Sequence, residues 1–100
     1  MLKEIAKELK TSEKPVVRTL HNHGGTRIIA IGLGKNVELK KHVAPSKATL
    51  HVLQGSIHFH LPEKKHLLHR YDTFEIPLET PHSVIAETDA LFMIIFTTES

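Results

Sequence analysis

The sequence predicts an all-β fold, a jelly-roll β-barrel that follows one short N-terminal helix. Short runs of β-branched and apolar residues alternate with Gly, Pro and Asn turn signals at intervals of about 8–12 residues. That spacing favours a sandwich or barrel over βαβ units, and a series of this length fits two antiparallel sheets around one core. The strand candidates are residues 16–20, 27–33, 37–42, 48–54, 56–61, 66–70, 73–77, 82–87 and 90–97.

The chain has the size of one domain, because its 100 residues, 40% of them hydrophobic, support a single core. We expect residues 15–100 to form one barrel domain and residues 1–14 to form a helix and lead-in. Residues 2–10 have the spacing of an amphipathic helix, which Pro15 cannot continue. The apolar face of this helix consists of Leu2, Ile5, Ala6 and Leu9. So short a helix is marginal alone, so it should pack on the barrel or on a partner subunit.

Composition excludes several classes of function. The net charge is +2 and the basic residues are scattered, so the sequence shows no nucleic-acid footprint. The longest apolar run, residues 90–96, is too short to span a bilayer, and residues 1–10 lack the continuous apolar stretch of a signal peptide. Without cysteine there is neither a disulfide nor a thiolate metal site. We therefore expect a cytoplasmic protein with no membrane or nucleic-acid partner, and the small size favours a homodimer.

Two segments carry the clearest motif signal, since each places one histidine beside a strand-like run. HVAPSKATLHVLQG runs from His42 to Gly55, and YDTFEIPLETPHSV runs from Tyr71 to Val84. Together they resemble the two conserved motifs of the cupin superfamily. The resemblance implies a cupin-like double-stranded β-helix. The sequence is similar in particular to small single-domain conserved-barrel cupins, whose degenerate first motif reads H-x-A-P rather than H-x-H.

Cupins usually hold a metal with three histidines and one glutamate, and only part of this set carries over. His42 and His82 stand at two of the histidine positions, whereas Ala44 and Ala48 stand at the remaining histidine and the glutamate positions. The resemblance thus implies a divalent transition metal as a candidate cofactor, held weakly by two imidazoles. A tight site normally has at least three protein ligands.

His51 is the candidate for a third metal ligand. The motif places residues 42, 44, 48, 50 and 52 inside the barrel. Strict alternation along a strand then turns His51 to the outer face, unless a β-bulge intervenes. A bulge is already needed nearby, because Val37 and Leu39 share a face that strict alternation denies to His42.

The remaining histidines are expected mainly on the outer surface. His58 and His60 precede a hairpin and His66 and His69 follow it, and the period-2 pattern points these residues away from the core. We interpret them as a solvated face or a subunit contact that can capture adventitious metal. Two arginines, Arg18 and Arg27, can either reach an anionic ligand in the barrel mouth or form outward salt bridges. The second interpretation is favoured.

Three hypotheses about function remain open. The first is a small-molecule-binding cupin with a depleted metal site, its ligand held in the barrel near His42 and His82. The second is a metal-dependent cupin enzyme of the dioxygenase or isomerase type, with a two- or three-histidine site. The third is an assembly or regulatory module that uses the outer histidines as a pH-sensitive surface. Loss of two ligand positions favours the first hypothesis, and no residue pattern indicates a nucleophilic enzyme.

Overall fold

A computed structural model of the protein describes residues 1–44 and 46–98. It contains one helix and a series of antiparallel strands close to the predicted ones. The elements are α1 Leu2–Glu8, β1 Val16–His23, β2 Thr26–Leu33, β3 Glu38–His42, β4 Lys47–Gln54, β5 Ile57–His60, β6 Lys65–Leu68, β7 Thr73–Ile76, β8 His82–Ala86 and β9 Ala90–Thr97. The described helix is neither long nor apolar enough to cross a membrane.

The strands form two sheets that face each other. A five-stranded sheet has the order β1-β2-β9-β4-β7, and a four-stranded sheet has the order β3-β8-β5-β6. Their adjacent strands all pair antiparallel, and the crossovers are those of a jelly roll. Within the described residues the two sheets do not share one continuous ladder, so side-chain packing closes the barrel. The predicted all-β jelly-roll fold is confirmed.

Alternation along the strands builds the core between the sheets. In β4, Ala48, Leu50 and Val52 are buried, while the residues between them are half-buried on the other face. In β5, Ile57 and Phe59 are fully buried from the opposite sheet. This is the period-2 pattern expected of a strand with one dry face. The inner surface is therefore set by residue parity, as the sequence predicted.

The N-terminal helix packs on the outer face of the five-stranded sheet of its own chain. Ile5 and Leu9 are buried there against apolar side chains of β1, β2 and β9. A glycine allows this close approach, because a Cβ at Gly32 would lie 2.8 Å from the Ile5 side chain and 3.0 Å from that of Leu9. The helix ends at Glu8, slightly before the predicted residue 10.

The predicted bulge lies in β3. Leu39 is opposite Val84 and His42 is opposite His82, so three steps along β3 match two steps along β8. The extra residue returns His42 to the inner side of the sheet, where Leu39 packs against the core. The bulge thus brings His42 to the same region of the barrel as His82.

Candidate functional site

His42 and His82 lie side by side on two neighbouring strands. They are register partners of β3 and β8, and their Nε2 atoms are 3.0 Å apart. The ring centroids are separated by 4.2 Å. His82 is buried, with 2% of its surface exposed, whereas His42 is exposed. The structure therefore brings together the two histidines that the motifs singled out.

The hydrogen bonds of this pair indicate which ring nitrogens carry a hydrogen. Nδ1 of His42 lies 2.8 Å from the Lys40 carbonyl oxygen, and Nδ1 of His82 lies 3.0 Å from the Thr80 carbonyl oxygen. A carbonyl only accepts, so both Nδ1 atoms must donate, and a neutral ring then has a bare Nε2. Two bare nitrogens would repel each other at this distance, unless a hydrogen on one of them is donated to the other. Otherwise a polar group from outside must separate the rings.

A positive charge is disfavoured on the buried His82. Burial lowers the pKa of His82, the Thr80 carbonyl partly opposes this, and the charge of His42 lowers the pKa further. His42 is exposed, so water can solvate a charge there. A hydrogen on Nε2 of one ring would be donated to the bare Nε2 of the other, 3.0 Å away, or to a bound molecule that takes its place. At this point the pair can donate a hydrogen bond to a bound molecule or accept one from it.

Aromatic rings fix His82 in place. The ring of Phe59 stacks on His82 with a centroid distance of 5.1 Å and an interplanar angle of 17°. Phe74 packs behind Phe59 at 4.8 Å, and His66 lies 4.8 Å from Phe74. Phe59 and His82 are both almost fully buried, so the ring of His82 has little freedom to rotate.

A cavity of about 400 Å³ opens beside the histidine pair. Apolar side chains from both sheets form most of its wall, and Arg27, Lys40 and the two histidines supply the polar groups. The lining residues are Val17, Arg27, Ile29, Ile31, Leu39, Lys40, His42, Val43, Ala44, Ile76, His82, Ile94 and Phe96. Its size and its mixture of apolar wall with few polar groups are typical of small-molecule sites.

His51 does not join the pair. It alternates with the buried Leu50 and Val52, so it lies on the outer face of β4, as its parity predicted. The described residues contain no cluster of three or more His, Cys, Asp or Glu side chains arranged to hold a metal ion. His42 and His82 provide two imidazole donors where a resident divalent metal normally has at least three protein ligands. The donor set therefore does not fit a tightly held metal.

One of the outer histidines was assigned to the wrong face. His58 and His60 alternate with buried residues and lie on the outer side of β5, as predicted. The prediction for His66 was wrong, since it pairs with the inward Phe59 across the hairpin and contacts Phe74 on the inner side. Partners directly opposite each other share a face of the sheet. Counting across the hairpin from Phe59 would have placed His66 correctly.

The two arginines have different surroundings. Arg18 donates to the Glu8 carboxylate over 2.8 Å, which is the outward salt bridge that was favoured. Arg27 instead lines the cavity, where its guanidinium lies 4.6 Å from the centre of the Phe96 ring. The sequence does signal this difference, because Arg27 shares parity with the inward Ile29 and Ile31.

Several solved structures resemble the chain over most of its length. A conserved protein of unknown function from Streptococcus pyogenes is 18% identical with a TM-score of 0.81, covering 96% of this chain and 85% of that one. A cupin superfamily protein from Desulfitobacterium hafniense DCB-2 is 14% identical with a TM-score of 0.82, covering 94% and 87%. A cupin 2 conserved barrel domain protein from Leptotrichia buccalis is 24% identical with a TM-score of 0.80, covering 93% and 46%.

These likenesses show that the chain has the cupin fold. They confirm the resemblance that the two sequence motifs indicated. Neither a protein-family model nor a curated protein matches the chain significantly. At such low identities the shared property is the fold alone, and one fold hosts many functions. What this small cupin-fold protein does must be argued from its own site.

Proposed function

We propose that the protein binds a small, largely apolar molecule in the barrel cavity, with the His42–His82 pair as its polar contact. The observation that carries this proposal is the cavity of about 400 Å³, which has apolar walls and two imidazoles on one side. Burial of apolar surface would supply most of the affinity, at roughly 25 cal/mol per Å². The imidazole pair would supply orientation.

The chemistry of the pair favours a ligand with a polar oxygen. An oxygen placed beside the two Nε2 atoms, which lie 3.0 Å apart, can accept from an Nε2 that carries a hydrogen, and a hydroxyl can also donate to a bare one. His82 stays in position because Phe59 stacks on it and the Thr80 carbonyl holds its Nδ1. A carbonyl, carboxylate or hydroxyl oxygen would satisfy this requirement.

The metal-dependent enzyme is the less favoured alternative, since the two-imidazole donor set does not fit a resident metal. We therefore assign no reaction step to a metal. A cytoplasmic location and a homodimer stay predictions from the sequence. The regulatory role of the outer histidines likewise stays a prediction, and it competes with ligand binding only if that surface responds to pH.

The proposal is tested with isotope-labelled, tag-free protein titrated with small alcohols, ketones and carboxylic acids of six to eight carbons. We expect amide shifts to concentrate around Ile29, Ile94 and His42, which surround the cavity. Replacing His42 by Ala should weaken binding by about fivefold, the value of one hydrogen bond of about 1 kcal/mol.

The matched control is His51→Ala, which removes a histidine from the outer face of β4 and should leave the affinity unchanged. If no probe shifts the cavity residues, or if His51→Ala weakens binding as much as His42→Ala, the proposal is wrong. The metal content of the same samples is measured in parallel. A full equivalent of metal that disappears in His82→Ala would favour the enzyme alternative instead.

A further inference from the structure

The charged side chains described at the cavity wall are positive. Arg27 and Lys40 line it, and none of its described lining residues is acidic. The chain as a whole has 13 Lys and Arg against 11 Asp and Glu, so this local excess does not simply follow from composition. An apolar cavity with cations at its wall favours a ligand that is both apolar and negatively charged.

Arg27 lines the cavity and is itself exposed to solvent. It lies directly opposite Phe96 in the register of β2 and β9, and its guanidinium covers the Phe96 ring at 4.6 Å. Stacking on an aromatic ring leaves the N–H groups at the edge of the guanidinium free to bind an anion. Arg27 forms no ion pair with a residue in 1–44 or 46–98, whereas Arg18 on the neighbouring strand pairs with Glu8.

Resting on the proposed function, we propose that the ligand carries a single carboxylate on its apolar body, besides the oxygen that contacts the His42–His82 pair, and that Arg27 binds this carboxylate. The planar guanidinium matches a carboxylate with two parallel N–H···O hydrogen bonds. The body of the ligand lies along the wall formed by Ile29, Ile31 and Ile94. Lys40 adds a second positive charge that attracts the anion without fixing its geometry.

A cavity without charged side chains would bind an amide more tightly than the corresponding carboxylate. Burying a carboxylate without a partner is far less favourable than burying its uncharged amide, so an apolar cavity alone selects the amide. Preference for the carboxylate therefore requires a cation in contact with it. The ratio of the carboxylate affinity to the amide affinity therefore measures the contribution of Arg27 separately from that of the apolar wall.

The test compares octanoate with octanamide by isothermal titration calorimetry, since the chain contains no tryptophan to report binding by fluorescence. We expect octanoate to bind the unmodified protein about tenfold more tightly at low salt, as expected for a charge-assisted hydrogen bond of roughly 1.5 kcal/mol. The preference should shrink at 0.5 M NaCl, because ions screen a partly exposed pair.

Replacing Arg27 by Gln should remove the preference for octanoate and leave the octanamide affinity within about twofold of its original value. Arg18→Gln is the matched control, since it removes an equal charge from an arginine that is paired with Glu8 outside the cavity, and it should keep the preference. Arg27→Lys keeps the charge without the planar fork and should retain only part of the preference. The salt dependence and the affinity ratio of the unmodified protein test the idea even if a variant is unstable.

Equal affinities for octanoate and octanamide in the unmodified protein would overturn this inference and leave the proposed function standing. An unchanged preference in Arg27→Gln would also overturn it, because another group would then bind the carboxylate. Binding of neither probe at millimolar concentration would count against the proposed function itself. Within a series of carboxylates, affinity should rise about fourfold per added methylene until the cavity is full.

Discussion

Two histidine pairs, one inside the barrel and one outside, show what a strand position does to the same side chain. Inside, His42 and His82 reach each other from neighbouring strands, with 3.0 Å between their Nε2 atoms. Outside, His58 and His60 follow each other on β5, with ring centroids 6.3 Å apart and an interplanar angle of 78°. The Nε2 atoms of the inner rings lie within hydrogen-bonding distance, whereas the described hydrogen bonds include none between the outer rings.

The inner pair differs from the outer one in its surroundings more than in its residues. His82 is stacked on Phe59, and both Nδ1 atoms of the inner pair have carbonyl partners. In the outer pair, Nε2 of His58 lies 3.5 Å from the Glu87 carboxylate. Nδ1 of His58 is buried without a hydrogen-bond partner among the described residues. The inner pair adjoins the apolar cavity, which has room for a ligand.

The largest expected effect is a loss of folding stability that differs between the two faces of strand β5. Phe59 is fully buried and supports His82, whereas His60 faces outward from the same strand. We expect Phe59→Ala to lower the free energy of unfolding by about 3–5 kcal/mol, because it leaves a cavity in the core. His60→Ala should change it by less than about 0.5 kcal/mol. Urea unfolding followed by circular dichroism measures both, and similar losses in the two variants would contradict the assignment of the faces.

Much of the fold could be predicted because its strands are short and follow period 2. The alternation in β4 and β5, the turns and even the need for a bulge before His42 were visible in the residues. The error at His66 arose because its face is set by pairing with Phe59 across a hairpin. Strand pairing is a tertiary property that residue order within one strand does not contain.

The candidate site was only partly predictable, for a related reason. The motifs identified His42 and His82, but they did not reveal that the two Nε2 atoms meet or that both Nδ1 atoms are bound to carbonyls. Parity places Arg27 on the inner face, but its stacking on Phe96 depends on the pairing of β2 with β9. A cavity is a volume between two sheets, so no single segment of the sequence contains it.

The next effect concerns the protonation of the inner pair. We expect His82→Phe to lower the free energy of unfolding at pH 7.5 by about 1–2 kcal/mol, because the Thr80 carbonyl and His42 lose a partner. Phe preserves the stacking on Phe59. The measurement is urea unfolding at several pH values between 7.5 and 5.5.

The pH dependence of the same variant has a definite sign. Unfolded His82 takes up a proton near its ordinary pKa of about 6.5. Burial lowers the pKa of the folded side chain, so the unfolded state binds more protons as the pH falls below that value. The unmodified protein should therefore lose stability on acidification, and His82→Phe should lose less. His23→Gln, an exposed control, should keep the original slope, and an equal slope in His82→Phe would show that this ring is not responsible.

The smallest expected effect is a gain of stability on the outer face. Leu67 and Ile85 lie opposite His58 on the two adjacent strands, so a leucine at residue 58 would have apolar neighbours on both sides. It would also remove the unpartnered Nδ1, whose burial costs free energy, while giving up only a 3.5 Å contact with Glu87. We expect His58→Leu to raise the free energy of unfolding by about 1 kcal/mol.

His60→Leu, which removes no buried nitrogen that lacks a partner, should change the free energy of unfolding by less than about 0.5 kcal/mol. A loss of stability in His58→Leu would mean that the Glu87 contact or a partner on this face uses the imidazole, and the outer pair would then rank with the inner one as a functional element.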